Sequence, residues 1–233
     1  MIDFGSLTPK IIYEFTLRWI HLLGGITWIG FLYWFNLVNV NFQKNLEADL
    51  KPKVNPGLIL PSLWFFRWGA VVTVVSGLLY YINILSSETV TGLGMPLLTW
   101  LAVVGVTYAI IYSTICPDGV MNNGNLLAVV TAVVVLAMAS VLCILYAREG
   151  VNTNSSYSIG IGGGMGVIML LNVWGIIWPN QKRLLGLVPL KEGQDKAKLA
   201  RRAFLASRMN AFLSIPMLFF MGASTHLPLI HWG

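Results

Sequence analysis

Six stretches of this chain carry no Asp, Glu, Lys or Arg over a length that reaches or exceeds a bilayer crossing: 19–43, 68–87, 89–117, 119–147, 150–181 and 209–233. About 20 predominantly apolar residues cross the hydrocarbon core, and a charge at its centre costs about 2.5–3.5 kcal/mol on insertion scales. Composition agrees: 56% of the 233 residues are hydrophobic and 10% are charged, against about 25% charged in soluble domains. So few charges cannot cover a soluble surface, and a chain this apolar is not disordered. The expected fold is all-α, an integral membrane bundle of six transmembrane helices in one domain, 1–233. The helices are expected at about 19–40, 64–85, 96–116, 125–146, 159–179 and 205–227.

The punctuation fits six spans. Pro52, Pro56 and Pro61 mark the first connection, and Ser86-Ser87 with Gly92 and Gly94 mark the second. Cys116-Pro117-Asp118-Gly119 and Asn122-Asn123-Gly124-Asn125 make the third a turn. Residues 152–158 read as a polar loop, and Pro179-Asn180 ends the fifth helix. The first eighteen residues, with Asp3, Glu14 and two cations, do not resemble a cleaved signal peptide.

The charges orient the bundle. Lys44, Lys51 and Lys53 lie in the first connection, and Lys182, Arg183, Lys191, Lys196, Lys198, Arg201 and Arg202 in the fifth. The opposite side holds Lys10, Arg18 and Arg148. The positive-inside rule then puts both termini outside, on the periplasmic side of a bacterial inner membrane. The net charge of +6 is concentrated beside a hydrophobic segment, which suits membrane anchoring and excludes a nucleic-acid face. Cys116 and Cys143 form no CxxC pair, so neither a zinc ribbon nor a c-type haem attachment site is present.

Three histidines occur, His21, His226 and His231. His21 opens the first charge-free run and His226 lies near the end of the last, so both fall near the outer face. Two histidines on different helices at matched depth are suited to ligating a non-covalently held b-type haem. The alternative is that each bonds water, headgroups or a neighbouring helix. His231, in the terminal tail, reads as a surface residue. Glu14, Arg18, His21, Gly25 and Trp28 share one helix face by their 4-3-4-3 spacing. With Gly24 and Gly30 they make either a cofactor wall with an ion pair at its mouth or a glycine-lined packing seam.

Other features read as structural. Arg208 and Asn210 stand about 27 Å from His226 along a helix and cannot serve the same haem. Pro216 should kink the last helix, and Arg67 between Trp64 and Trp68 reads as an interfacial anchor. The Gly160-Ile161-Gly162-Gly163-Gly164-Met165-Gly166 stretch is not a phosphate loop, since no strand precedes it and no Lys-Ser/Thr follows. Close helix packing suits it better.

Arg18-Trp19-Ile20-His21 running into Ile26-Thr27-Trp28-Ile29-Gly30 resembles the first helix of the membrane domain of bacterial membrane-bound urate hydroxylases, the urate oxidase N-terminal domain family. Ser207-Arg208-Met209-Asn210, then Leu213-Ser214-Ile215-Pro216 and Thr225-His226-Leu227-Pro228, resembles that domain's Ser-Arg-His-Asn…Leu-Pro…Asn-His-Tyr-Pro helix. The resemblance implies a membrane module linked to oxidation of a small substrate, with electrons passed to cytochrome c. It also carries the matched histidines onto His21 and His226. Two departures stand out: Met209 replaces the family's His, and the family's C-terminal cytochrome c domain, with its CxxCH, has no counterpart here.

The expectation is an integral membrane redox subunit holding haem b through His21 and His226 and relaying electrons to a cytochrome c. The first alternative is a urate-hydroxylase-like oxidoreductase acting with a separate cytochrome c. The second is a cofactor-free structural subunit among other membrane subunits. A transporter ranks below these, because no inverted repeat or broken helix pair is visible.

Overall fold

The structure, a computed structural model, describes residues 8–88, 92–115 and 123–227. His231 and residues 116–122 of the expected third turn lie outside the described residues, while Gly124 and Asn125 of that turn are already helical. Among the described residues the fold is all-helical, with six helices long and apolar enough to cross a membrane: α1 (Pro9–Asn45), α2 (Lys51–Glu88), α3 (Gly94–Ile115), α4 (Gly124–Arg148), α5 (Asn154–Leu184) and α6 (Lys196–His226). It is a multi-pass membrane protein. Side-chain caps open four helices: Thr8 accepts from the Ile11 amide, Asn123 from Asn125 and Leu126, Thr153 from Ser156, and Asp195 from Ala197. Each satisfies an amide that a helix N-terminus otherwise leaves without a partner.

The helices run further than their charge-free runs. α2 starts at Lys51 and carries Pro56 and Pro61 inside it, so the first connection shrinks to 46–50. Ile59, Leu63 and Phe66, buried on its inner face, hold that segment against the bundle and offset the hydrogen bonds the prolines remove. Ser86 and Ser87 also belong to α2, their hydroxyls donating back to the Asn83 carbonyl. α5 begins at Asn154, inside the expected polar loop, and continues past Pro179. A π-turn at Val173–Ile177 restarts the α-helix at Trp178, putting Pro179 in a first turn where its missing N–H costs little.

α5 is the central helix: 67% of its most apolar window is buried, against 22–39% in the other five. Its glycines explain how. A methyl group on Gly160 would lie 2.6 Å from the Tyr81 hydroxyl, on Gly162 2.7 Å from Met221 Cε, and on Gly164 3.0 Å from Val104 Cγ2. The glycine stretch therefore lets α2, α6 and α3 approach α5 on successive faces, as the sequence suggested.

α1 packs along α2, and α5 along α6. Polar bonds tie the two pairs together on the half of the bundle away from His21. The Tyr33 and Ser214 hydroxyls lie 2.9 Å apart, and Asn36 Nδ2 donates to Ser207 Oγ at 2.8 Å. Deeper still, Asn172 donates to Asn210 at 2.8 Å, and Asn210 to the Met169 carbonyl at 2.9 Å. Arg67 does not use its sequence neighbours Trp64 and Trp68; its guanidinium lies 3.4 Å from the ring centre of Trp178 on α5. On the His21 half α2 still meets α5 through Tyr81, whose hydroxyl donates to the Ser156 carbonyl.

Candidate functional site

Beside that contact a cavity of 640 Å³ is lined by α1, α2, α3, α5 and α6. That volume falls in the roughly 300–1,000 Å³ range of cofactor and small-molecule sites. Arg18, His21, Gly25 and Trp28 all line it, so the face read from their spacing is its α1 wall. From Arg18 to Gly30 the wall extends about 18 Å at 1.5 Å per residue.

Charged and polar groups gather at the Arg18 end. Glu14 Oε1 accepts from Asn83 Nδ2 at 2.7 Å, Glu14 Oε2 lies 3.4 Å from Arg18 Nη2, and the Arg18 guanidinium sits 4.8 Å from the ring centre of Tyr80. Glu14 thus holds Arg18 while leaving it on the cavity wall. Ser155, Ser224 and Thr225 add hydroxyls from α5 and α6. The far end is apolar, with Ile29, Val167 and Met217.

His21 is held on two sides. Its Nδ1 lies 2.8 Å from the Thr73 carbonyl oxygen, which has no proton to give, so Nδ1–H donates. That assigns the neutral ring its tautomer and leaves Nε2 as the nitrogen with a lone pair. A methyl group on Gly77 would lie 2.7 Å from Nδ1 and 2.8 Å from Cε1, so only glycine admits the ring there. This is how proteins hold a metal-ligating histidine: the second nitrogen donates to a backbone carbonyl that orients the ring.

Trp28 is fully buried, and its indole N–H finds no acceptor among the described residues. A buried donor without a partner costs about 1–3 kcal/mol, and this one belongs to a side chain on the cavity wall. By contrast the Trp100 indole donates to the Gly160 carbonyl, and the Tyr81 hydroxyl is shared with Tyr146 and the Ser156 carbonyl.

The two readings of the α1 glycines divide by position. A methyl group on Gly24 would meet Thr73 Oγ1 at 2.8 Å, so Gly24 is the packing seam between α1 and α2. Gly25 and Gly30 line the cavity, and a methyl group on Gly30 would meet nothing within 4 Å.

His226 is the last residue of α6 and is exposed; its neighbour Thr225 lines the cavity, and His226 does not. Met209, in place of the family's histidine, is buried outside the cavity lining, its sulfur 3.3 Å from the Thr131 hydroxyl. Among the described residues no three His, Cys, Asp or Glu side chains group as metal ligands.

Sequence reasoning missed Thr73, Gly77 and the unpartnered Trp28 N–H. Thr73 is 52 residues from His21, and no local period links the two. The family model described as urate oxidase N-terminal matches residues 48–232. Thr73, Gly77 and His226 fall inside that stretch and His21 before it. No curated protein and no solved structure matches the chain.

Proposed function

The chain belongs to the urate oxidase N-terminal family, and from that premise we propose that it is a membrane redox subunit holding b-type haem in the His21 cavity and relaying electrons to a cytochrome c. The observation that carries the reading is His21 itself, with Nδ1 bonded to the Thr73 carbonyl, its ring against Gly77, and its side chain on the cavity wall. The residues suit this cofactor. His21 would ligate the iron through Nε2, Gly25 and Gly30 would leave room for a flat macrocycle, and Arg18 at the polar end would pair with a carboxylate. His226, which the sequence pairs with His21, is the exposed last residue of α6 and is off the cavity lining.

Bound haem supplies a one-electron couple inside the bundle. The chain's own part is to orient His21, to exclude water with the apolar far end, and to keep Arg18 placed through Glu14. The mostly apolar lining favours this reading over a site for urate, which needs polar partners around its whole edge. By the positive-inside rule the basic connection between α5 and α6 supports a cytoplasmic position for that side in a bacterial inner membrane, with the Arg18 end periplasmic and accessible to a cytochrome c.

A reduced-minus-oxidised spectrum of the detergent-purified protein tests this. The expected result is b-type haem bands in the parent protein that disappear in His21→Ala. A folded but colourless parent protein overturns the proposal.

A further inference from the structure

We propose that Met221, rather than His226, would supply the second protein ligand to a haem held by His21; this rests on the haem reading above. Depth on the three helices makes the case. His21 is level with Gly77 on α2, whose neighbour one turn on, Tyr81, reaches Gly160 of α5. Two residues further along α5, Gly162 faces Met221: its would-be methyl group lies 2.7 Å from Met221 Cε. His21, Gly162 and Met221 all line the cavity.

His226 stands elsewhere. It lies five residues beyond Met221, about 7.5 Å further out at 1.5 Å per residue. At that end of α6, Asn154, the first residue of α5, donates to the Ala223 and Ser224 carbonyls. His226 is exposed and off the cavity wall. Met221 is half-buried, and thioether sulfur is an established haem ligand that raises the potential of the couple. Met217 also lines the cavity, one turn deeper, and its sulfur lies 3.6 Å from the would-be methyl group of Gly166. It serves as the internal control.

The test uses full-length protein loaded with haem in detergent and reads the ligand field. The ferric parent protein should show the near-infrared charge-transfer band specific to iron–methionine ligation. Met221→Leu, which nearly conserves volume, should keep haem on His21, lose that band, bind carbon monoxide when reduced and lower the midpoint potential. Met221→His should restore the low-spin state without the band. Met217→Leu and His226→Ala should leave the spectrum unchanged. Haem-loaded Met221→Leu with the parent spectrum overturns the assignment while leaving haem binding intact, as does loss of the band in Met217→Leu or a changed spectrum in His226→Ala. A parent protein that binds no haem overturns both readings.

Discussion

Gly77 and His21 are in such close contact that a single methyl group on Gly77 would fall 2.7 Å from His21 Nδ1. That nitrogen also donates to the Thr73 carbonyl, one turn back on the same helix. α2 thus provides both the space for the ring and the bond that orients it. Gly77→Ala should push the ring off Thr73, and loss of an orienting partner of this kind costs roughly 10–100-fold in metal affinity. The haem-to-protein ratio after dialysis against a haem scavenger reads the effect. Full retention of haem in a folded Gly77→Ala protein would count against the assigned role of His21.

Trp28 offers a cleaner separation between stability and ligand binding. Trp28→Phe removes an N–H without a partner and keeps most of the ring, so the apo protein should melt at or slightly above the parent temperature. If the cofactor accepts from this N–H, its affinity should fall about tenfold, equivalent to about 1.4 kcal/mol. Titration of haem into both apo proteins decides it: equal affinities dismiss Trp28 as a ligand donor.

The amide pair Asn172–Asn210 closes the opposite half of the bundle. Asn210→Leu leaves the Asn172 amide without its acceptor and removes the second donor to the Met169 carbonyl, which keeps the Val173 amide. Interhelical hydrogen bonds in bilayers average about 0.6 kcal/mol and reach about 1.7, and this doubly bonded, fully buried residue belongs at the upper end. Thermal unfolding in detergent should show a lowered midpoint, while the haem spectrum stays as in the parent because neither residue lines the cavity. A displaced Soret band would mean the two halves are coupled more tightly than the cavity boundary implies.

Arg67 stacks on Trp178 through a planar guanidinium, which lysine cannot imitate. Arg67→Lys should cost about 0.5–2 kcal/mol, the range from exposed to desolvated cation–π pairs. The measurement is a double-mutant cycle with Trp178→Leu in the same melting assay. A coupling energy of zero would show that Arg67 gains nothing from the Trp178 ring, leaving Trp174 and the Leu63 carbonyl as its partners.

Charge placement along the chain determined the number of helices, because hydrocarbon rejects ionised side chains and the gaps between them must be spans. The 4-3-4-3 spacing of Glu14, Arg18, His21, Gly25 and Trp28 also determined that they share one helix face, and the last four of them line the cavity. Helix ends were less legible: α2 absorbs Pro56 and Pro61 because its buried residues compensate for lost backbone bonds, a term that local propensity does not contain. The tertiary structure alone decided what faces that wall. His21 meets Thr73 and Gly77, Gly24 is seam while Gly25 and Gly30 are cavity, and Met221 rather than His226 is on the lining. Those facts depend on how far one helix is rotated and shifted against another, and side-chain shape in three dimensions sets that packing.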